Sequence, residues 1–317
     1  MTSPDRIAGK VIRVIGVLLL TLGIGGILIG PAEMHAFTFF QPGGRFHFEG
    51  FGLGSLMFAN IAIQIAGYYA IAAICIPLGY GHLKLKWWTR PVMITLMTDW
   101  LLVGLPFAAM ALMILVQSKG VTPFGLPFVV LAFLLAYPII PILLLRLYRS
   151  FPVQRILTAP ASNSHWLQRT SLPLRVAGSL LILMVVILHF PLLFDGFFPL
   201  FGKILQGLPG VLFVDLAIFL TGVLTWGVLT RRSWSWWGTT VFLLVLLSAS
   251  TSTFLSVSPQ QIISTMSFAP REVEALSGLP VRGYHFALFF GLLPAVTLAA
   301  LFLARGEFSS SVLSRAP

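Results

Sequence analysis

Eight apolar runs, each of about 20 residues or more, determine what this 317-residue chain can fold into. They cover approximately residues 11–31, 53–80, 91–117, 124–147, 173–194, 209–230, 235–257 and 285–304. A helix of about 20 mostly apolar residues is long enough to cross the hydrocarbon core of a bilayer. The runs therefore predict an all-α fold, a polytopic membrane protein with eight transmembrane helices.

The shortage of charged residues supports the same placement. Only 9% of the residues are charged, whereas soluble domains carry about 25%. Because so few charges cannot cover a water-facing surface, the lipid bilayer is the expected partner. In a soluble protein the net charge of +11 would indicate nucleic acid, but here the charge follows the topology and indicates no nucleic-acid partner.

Lysine and arginine are distributed unequally between the two faces that eight spans create. The face that holds both termini receives 15 of the 20 basic residues: Arg6, Lys10, Arg13, Lys84, Lys86, Arg90, Arg146, Arg149, Arg155, Arg169, Arg175, Arg231, Arg232, Arg305 and Arg315. The other face receives Arg45, Lys119, Lys203, Arg271 and Arg282. Because basic loops stay on the cytoplasmic side, we expect both termini to be cytoplasmic. We expect a multi-pass protein of the cell membrane, which in a bacterium is the inner membrane, with an uncleaved first span.

The two halves of the chain resemble each other. Three segments match in the same order: RVIGVLLL at 13–20 with RVAGSLLI at 175–182, FANIAIQIAG at 58–67 with FVDLAIFLTG at 213–222, and KLKWWTRP at 84–91 with RSWSWWGT at 232–239. We interpret this as a duplication, with a four-helix membrane repeat at 1–148, a basic cytoplasmic linker at 149–172 and a second four-helix repeat at 173–317. Four spans per repeat give both copies the same orientation, so we expect parallel repeats. Chance similarity between apolar helices is the alternative.

The first outer loop is unusually aromatic, with six phenylalanines in HAFTFFQPGGRFHFEGFG, residues 35–52. Pro42 and Gly43 suit a type II turn, and phenylalanine then alternates with polar residues, so the segment favours a short β-hairpin. The corresponding segment of the second half, 194–207, is also rich in phenylalanine. We expect two aromatic caps, which either anchor at the membrane boundary or form a lid over an outward-facing cavity.

A second outer loop, residues 258–284, contains a short helix pattern. Pro270 suits the first helical turn, acidic residues follow it, and Gly278 suits the end of the helix. We expect one or two turns of surface helix there.

Few polar side chains lie inside the spans, which makes each of them a candidate for function. Asp99 in span three and Asp215 in span six would bind a cation or a proton. Asn60 and Gln64 in span two share a helical face and would supply neutral hydrogen bonds. The match between the halves sets Asn60 opposite Asp215, which predicts a polar site between the repeats. The alternative is structural hydrogen bonding between helices or, for the acids, a neutral or capping carboxyl group.

The histidines offer a different chemistry. His189 and His285 lie within or at the ends of spans five and eight, and both are predicted on the outer side of the membrane. Two imidazoles that converge there would ligate a haem or a metal. No pair of histidines has metal-ligand spacing, so no metal site is assigned and the cofactor stays unknown. His82 and His165 fall in basic cytoplasmic loops, where we expect solvated rings.

The sequence favours a transporter-like or channel-like membrane protein, or the membrane subunit of a larger complex with other membrane proteins. The expected site residues are Asn60, Gln64, Asp99 and Asp215. One alternative is a membrane-bound redox or lipid-modifying enzyme that uses the outer histidines, and another is a structural or assembly protein. The sequence contains no nucleotide-binding or hydrolase motif, and whether the protein is an enzyme stays undecided.

Overall fold

The computed structural model describes residues 3–117, 122, 124–158, 166–266 and 268–308. The predictions made for Lys119, His165 and Arg315 lie outside these residues. The chain is mostly helical, at 80%. The helices are α1 (Ser3–Phe40), α2 (Leu56–Leu83), α3 (Thr89–Gln117), α4 (Leu126–Arg149), α5 (Phe151–Ile156), α6 (Trp166–Arg169), α7 (Leu172–Ile187), α8 (Gly207–Leu229), α9 (Ser233–Ser256), α10 (Pro259–Thr265), α11 (Pro270–Ser277) and α12 (Gly283–Leu303).

Eight of the described helices are long and apolar enough to cross a membrane. They are α1 to α4, α7 with the 3₁₀ turn Phe190–Phe194 that follows it, α8, α9 and α12. The prediction of eight such helices is confirmed, and they are compatible with an integral, multi-pass membrane protein. The short helix predicted between Pro270 and Gly278 is also confirmed, since α11 begins at Pro270 and Gly278 is its C-cap.

The β-hairpin predicted for residues 35–52 does not form. Helix α1 continues to Phe40, and turns follow it, with positive φ angles at Gly43 and Gly50. Phe37 and Phe40 are three residues apart and therefore share a helical face rather than alternating on a strand. Their rings lie 5.9 Å and 6.0 Å from that of Phe51, between centroids. Phe37, Phe40 and Phe51 are thus partly covered by one another without a strand pair, whereas Phe39 and Phe46 stay exposed, at 45% and 57%.

A two-stranded hairpin forms instead in the second half of the chain. Strands β1 (Phe198–Leu200) and β2 (Lys203–Leu205) pair antiparallel, with Phe198 opposite Leu205. The turn between them contains Gly202, whose N–H donates to the Thr253 hydroxyl of α9 at 2.9 Å. Just before β1, the buried Phe197 stacks on Phe254. The aromatic cap of this half therefore packs directly on the helix ends.

The chain divides into two compact units. The first unit comprises Met1–Ile94 and Leu143–Arg169, and the second comprises Thr95–Ile142 and Thr170–Pro317. In the first unit, glycines on one face of α1 let α2 approach closely: a Cβ on Gly26 would lie 2.5 Å from the carbonyl oxygen of Tyr68. In the second unit, α7, α9 and α12 surround an apolar core whose centre includes the fully buried Leu180, Leu243 and Leu301.

Helix α2 ends in a tight turn whose hydrogen bonds form a Schellman motif. The N–H of Lys86 donates to the carbonyl of Gly81 at 2.8 Å, and the N–H of Leu85 donates to that of His82 at 3.1 Å. Leu85 has φ +49°, the left-handed conformation that usually requires glycine at this position. The hydroxyl of Thr89, which begins α3, donates back to the Lys86 carbonyl at 2.7 Å.

Helix α8 ends in a turn of the same form. The N–H of Arg232 donates to the carbonyl of Gly227 at 2.9 Å, and the N–H of Arg231 donates to that of Val228 at 3.0 Å. Arg231 has φ +56°, and the hydroxyl of Ser235 donates back to the Arg232 carbonyl at 2.7 Å. Each turn is also closed by a tryptophan that packs on its glycine, since a Cβ would lie 2.6 Å from Trp88 at Gly81 and 2.8 Å from Trp234 at Gly227.

Candidate functional site around Asp99

Asp99 lies inside α3, about 15 Å from its first residue at a rise of 1.5 Å per residue. Its carboxylate oxygen Oδ2 accepts a hydrogen bond from the Ser179 hydroxyl of α7 at 2.7 Å. The other oxygen, Oδ1, is buried and has no hydrogen-bond partner among the residues that the structure describes. A carboxyl group in an apolar environment with an unsatisfied oxygen is costly when it is charged, unless a cation or a proton joins it.

The helical hydrogen-bond pattern changes directly after Asp99. Residues Trp100–Gly104 of α3 form a π-helical turn, and residues Leu135–Ile139 of α4 form another. A proline accompanies each turn, Pro106 just beyond the first and Pro138 within the second, and proline cannot donate the main-chain hydrogen bond that an α-helix requires. Turns of this kind occur frequently at functional sites.

The two π-helical turns lie against each other within the second unit. The rings of Trp100 and Tyr137 are 5.7 Å apart between centroids, and a Cβ on Gly104 would meet both rings at 3.6 Å. Val103, one helical turn after Asp99, belongs to the apolar core around Leu180. The carboxyl group of Asp99 therefore lies between irregular backbone and a packed core.

The hydroxyl of Ser179 has a choice of acceptors. Its oxygen lies 2.7 Å from Asp99 Oδ2, 2.8 Å from the Arg175 carbonyl and 3.0 Å from the Val176 carbonyl. Because a hydroxyl carries one proton, it donates to one of these at a time. It donates to Asp99 when the carboxylate is charged. When Asp99 is protonated, the carboxyl can donate to the Ser179 oxygen while Ser179 donates to a main-chain carbonyl.

The sequence prediction included Asp99 but not Ser179. A signal for it was present, since RVAGSLLI has Ser179 where the matching RVIGVLLL has Val17. A serine within an apolar helix is ordinarily explained by a hydrogen bond to its own backbone, which Ser179 also makes.

Asn60 and Gln64 lie together on one exposed face of α2, in the first unit. Their shared face was predicted from their spacing. Asn60 lies before the tight turn that ends α2, and Asp215 lies before the one that ends α8. The distance from Asn60 to its turn is longer by about nine residues, or ~13 Å along a helix. The proposed equivalence of these two residues therefore rests on the sequence match alone.

Asp215 lies on the exposed surface of α8, in the second unit. The residues beside it on the helix are apolar and exposed: Leu212 at 58%, Leu216 at 51% and Phe219 at 66%. Within the described chain, the structure gives Asp215 no hydrogen bond or ion pair. It is an isolated carboxyl group on a surface that is otherwise suited to lipid or to another apolar helix.

His189 and His285 have separate structural contacts. His285 is buried near the start of α12, where its Nδ1 accepts a hydrogen bond from the Arg282 N–H at 2.9 Å. His189 is exposed, and its Nδ1 lies 2.7 Å from the Val185 carbonyl. Across the described ranges, no group of three or more His, Cys, Asp or Glu side chains could hold a metal ion.

His82 corrects a prediction, because its ring is fully buried rather than solvated. Its Nδ1 lies 2.6 Å from the Leu78 carbonyl, and its Nε2 lies 2.5 Å from the Tyr148 hydroxyl. Only a protonated Nδ1 can donate to a carbonyl, so in the neutral ring Nε2 accepts the Tyr148 proton. Arg90 Nε donates to the Tyr148 carbonyl at 2.9 Å. The sequence placed His82 in a basic loop but gave no indication of Tyr148, which is 66 residues away.

Comparisons with models of protein families, with curated proteins and with solved structures returned no match to this chain.

Proposed function

We propose that the protein is a transporter-like integral membrane protein in which Asp99 and Ser179 form a proton- or cation-binding site. The observation that carries this proposal is the half-buried Asp99 carboxyl group, with one oxygen bonded to Ser179 and the other buried and unpartnered among the described residues. An ionisable group inside a membrane span is ordinarily retained for function because its cost to folding is high.

The alternative acceptors of Ser179 support a proton in particular. Asp99 can gain or lose a proton while Ser179 rotates its hydroxyl between Asp99 and the Arg175 carbonyl. Both protonation states then keep a hydrogen bond between the two side chains. A small cation would instead use the carboxylate and hydroxyl oxygens as ligands, with the π-helical turn after Asp99 as a source of main-chain carbonyls.

The site joins the two halves of the sequence. Asp99 belongs to the first proposed repeat, 1–148, and Ser179 belongs to the second, 173–317. The duplication rests on the sequence matches; the two Schellman turns share their hydrogen bonds and their left-handed residue, but in a register two residues away from the match of 84–91 with 232–239. We propose parallel repeats with both termini in the cytoplasm, on the basis of the Lys and Arg distribution, and a polar site between them.

The test is ion flux into vesicles that contain the purified protein. Wild-type protein and the variant Asp99→Asn are reconstituted with a pH-sensitive dye inside, and a membrane potential is imposed with potassium and valinomycin. We expect proton flux in the wild type and a loss of at least tenfold in Asp99→Asn, which keeps the size and the acceptor oxygen of the side chain. Parallel vesicles without valinomycin, with a sodium or potassium gradient and the matching dye, test a cation in place of the proton.

Asp215→Asn is the matched control for this experiment, because it removes an exposed carboxyl group from a different helix. A polar pathway that includes Asp215 predicts reduced flux in this variant as well. Flux that is unchanged in Asp99→Asn in all three ion assays would contradict the proposal.

A second candidate function, the membrane subunit of a larger complex, is favoured by the exposed face of α8. Asp215 lies among large apolar side chains on that face, and a partner helix would remove the carboxyl group from lipid. This candidate predicts that Asp215→Leu changes the size of the complex in mild detergent without changing ion flux.

A further inference from the structure

The two tight turns place aromatic and basic side chains at the same positions. In the second unit, Trp226 and Trp234 flank the turn after α8, with ring centroids 6.5 Å apart and exposures of 56% and 47%. The guanidinium carbon of Arg232 lies 5.8 Å from the centre of the Trp226 ring, a cation–π contact. Arg232 is exposed, and no acid pairs with it in the described part of the chain.

The turn after α2, in the first unit, has residues of the same types at these three positions. Tyr80 occupies the position of Trp226 and is 55% exposed. Lys86 occupies the position of Arg232 and is exposed, and the half-buried Trp88 occupies that of Trp234. The correspondence follows from the shared Schellman hydrogen bonds, which fix the spacing from the glycine to each of these residues.

In the described part of the chain, basic side chains outnumber acids around the two turns. The sequence predicts both turns on the cytoplasmic face. Two acids occur among the described residues of the loops predicted on that face, and each of them pairs with an arginine. Asp5 lies 3.5 Å from Arg155, and Glu307 lies 3.2 Å from Arg231. Lys86 and Arg232 are therefore left to bind an anion from outside the chain.

We infer that each turn binds the phosphate headgroup of an anionic phospholipid. The basic side chain supplies the charge, and the aromatic rings lie at headgroup level, where Trp and Tyr accumulate in membrane proteins. A lipid fits better than an acidic protein segment, because the site begins at the last turn of a spanning helix. The inference requires the membrane placement but not the role of Asp99, so either can fail without the other.

The test is native mass spectrometry of the purified full-length protein, titrated in detergent with phosphatidylglycerol or with phosphatidylcholine. We expect phosphatidylglycerol to bind more tightly, with each site weakened roughly fivefold when its cation is removed, the factor that about 1 kcal/mol per basic residue gives. The variants are Arg232→Gln, Lys86→Gln and the double variant, and Arg232→Lys should retain binding. Arg271→Gln, on exposed helix α11, is the control and should not change binding.

Three results would overturn the inference. One is equal binding of the two lipids by the wild type, which would leave an acidic protein segment as the remaining occupant. Another is a double variant that binds phosphatidylglycerol as tightly as Arg271→Gln does. The third is displacement of the lipid by soluble glycerol phosphate at equal concentration, which would assign the sites to a free phosphate compound rather than to a lipid.

Discussion

The turn after α2 and the turn after α8 close their helices with the same hydrogen bonds but bury different side chains beneath them. His82 and Val228 occupy the same position in the two turns, and both are fully buried. His82 is bonded to Tyr148, whereas Val228 has no polar group to satisfy. The backbone geometry of the turn therefore does not depend on whether the side chain buried beneath it is polar.

The anchoring of the neighbouring helix ends is also alike. Arg90 Nε donates to the Tyr148 carbonyl at 2.9 Å, and Trp236 Nε1 donates to the Leu301 carbonyl at 3.3 Å. Tyr148 and Leu301 are both fully buried. In each unit, a side-chain N–H thus donates to a main-chain carbonyl near the end of a helix. The residue that carries this carbonyl has a buried polar side chain in the first unit, Tyr148, and a buried apolar one in the second, Leu301. The His82–Tyr148 pair is an addition to the turn and not a requirement for it.

The largest effect is expected from placing a histidine in the apolar turn. Val228→His would bury a larger ring whose nitrogens have no partner equivalent to Tyr148, so both overpacking and an unsatisfied polar group destabilise it. We expect a loss of about 3 kcal/mol or more in the free energy of unfolding. The measurement is unfolding by sodium dodecyl sulfate in mixed micelles.

Val228→Leu is the control for size, because it adds volume without a polar atom. A Val228→His variant as stable as Val228→Leu would show that the interior of this turn accepts an imidazole. The contrast between the two turns would then have no energetic basis.

A double-mutant cycle on the polar turn is expected to give an intermediate effect. His82→Leu leaves the Tyr148 hydroxyl unpaired, and Tyr148→Phe leaves the His82 Nε2 unpaired, so each should cost about 1–3 kcal/mol. The double variant removes both polar groups and should cost less than the sum, with a coupling energy of about 1 kcal/mol. The same unfolding titration measures all three variants, with the exposed His189→Leu as a control. Strictly additive losses would mean that the hydrogen bond between His82 and Tyr148 contributes nothing.

The smallest effect concerns the left-handed residues. Leu85→Gly should stabilise the protein by about 0.5–1 kcal/mol, because glycine adopts a positive φ without the steric cost of a Cβ. Arg231→Gly should gain less or nothing, since Arg231 also bonds to Thr170 at 2.8 Å and pairs with Glu307 at 3.2 Å. Thermal unfolding in detergent compares the two variants. A larger gain at Arg231 than at Leu85 would mean that the contacts of Arg231 with Thr170 and Glu307 do not stabilise the protein.

The sequence predicted the long helices well and the location of the short β-hairpin poorly. Apolar length alone located the eight long helices, because the hydrocarbon core of a bilayer sets a minimum span. The hairpin was predicted in the wrong half, because phenylalanines in a short segment suit a helix end as well as a strand. Phe37 and Phe40 pack by helical spacing, while β1 and β2 formed around Gly202, which no sequence rule singled out.

The same limit applies to the candidate site. Asp99 was predicted because an acid inside an apolar run stands out in any sequence. Ser179 and Tyr148 were not, because a contact between distant helices depends on their relative rotation, which composition and periodicity do not specify. The prolines at 106 and 138 were visible, but a proline in a span can produce a kink, a break or a π-helical turn.

Infrared difference spectroscopy of the reconstituted protein tests the central claim most directly, because it detects a carboxyl group that gains or loses a proton. We predict that the difference spectrum between low and high pH contains, beside the bands of the other Asp and Glu side chains, one carboxylic C=O stretching band that belongs to Asp99. The band should be absent in Asp99→Asn, unchanged in Asp215→Asn, and shifted in frequency in Ser179→Ala, which removes the hydrogen bond. The same band in Asp99→Asn as in the wild type would contradict the assignment of Asp99 as the group that takes up the proton.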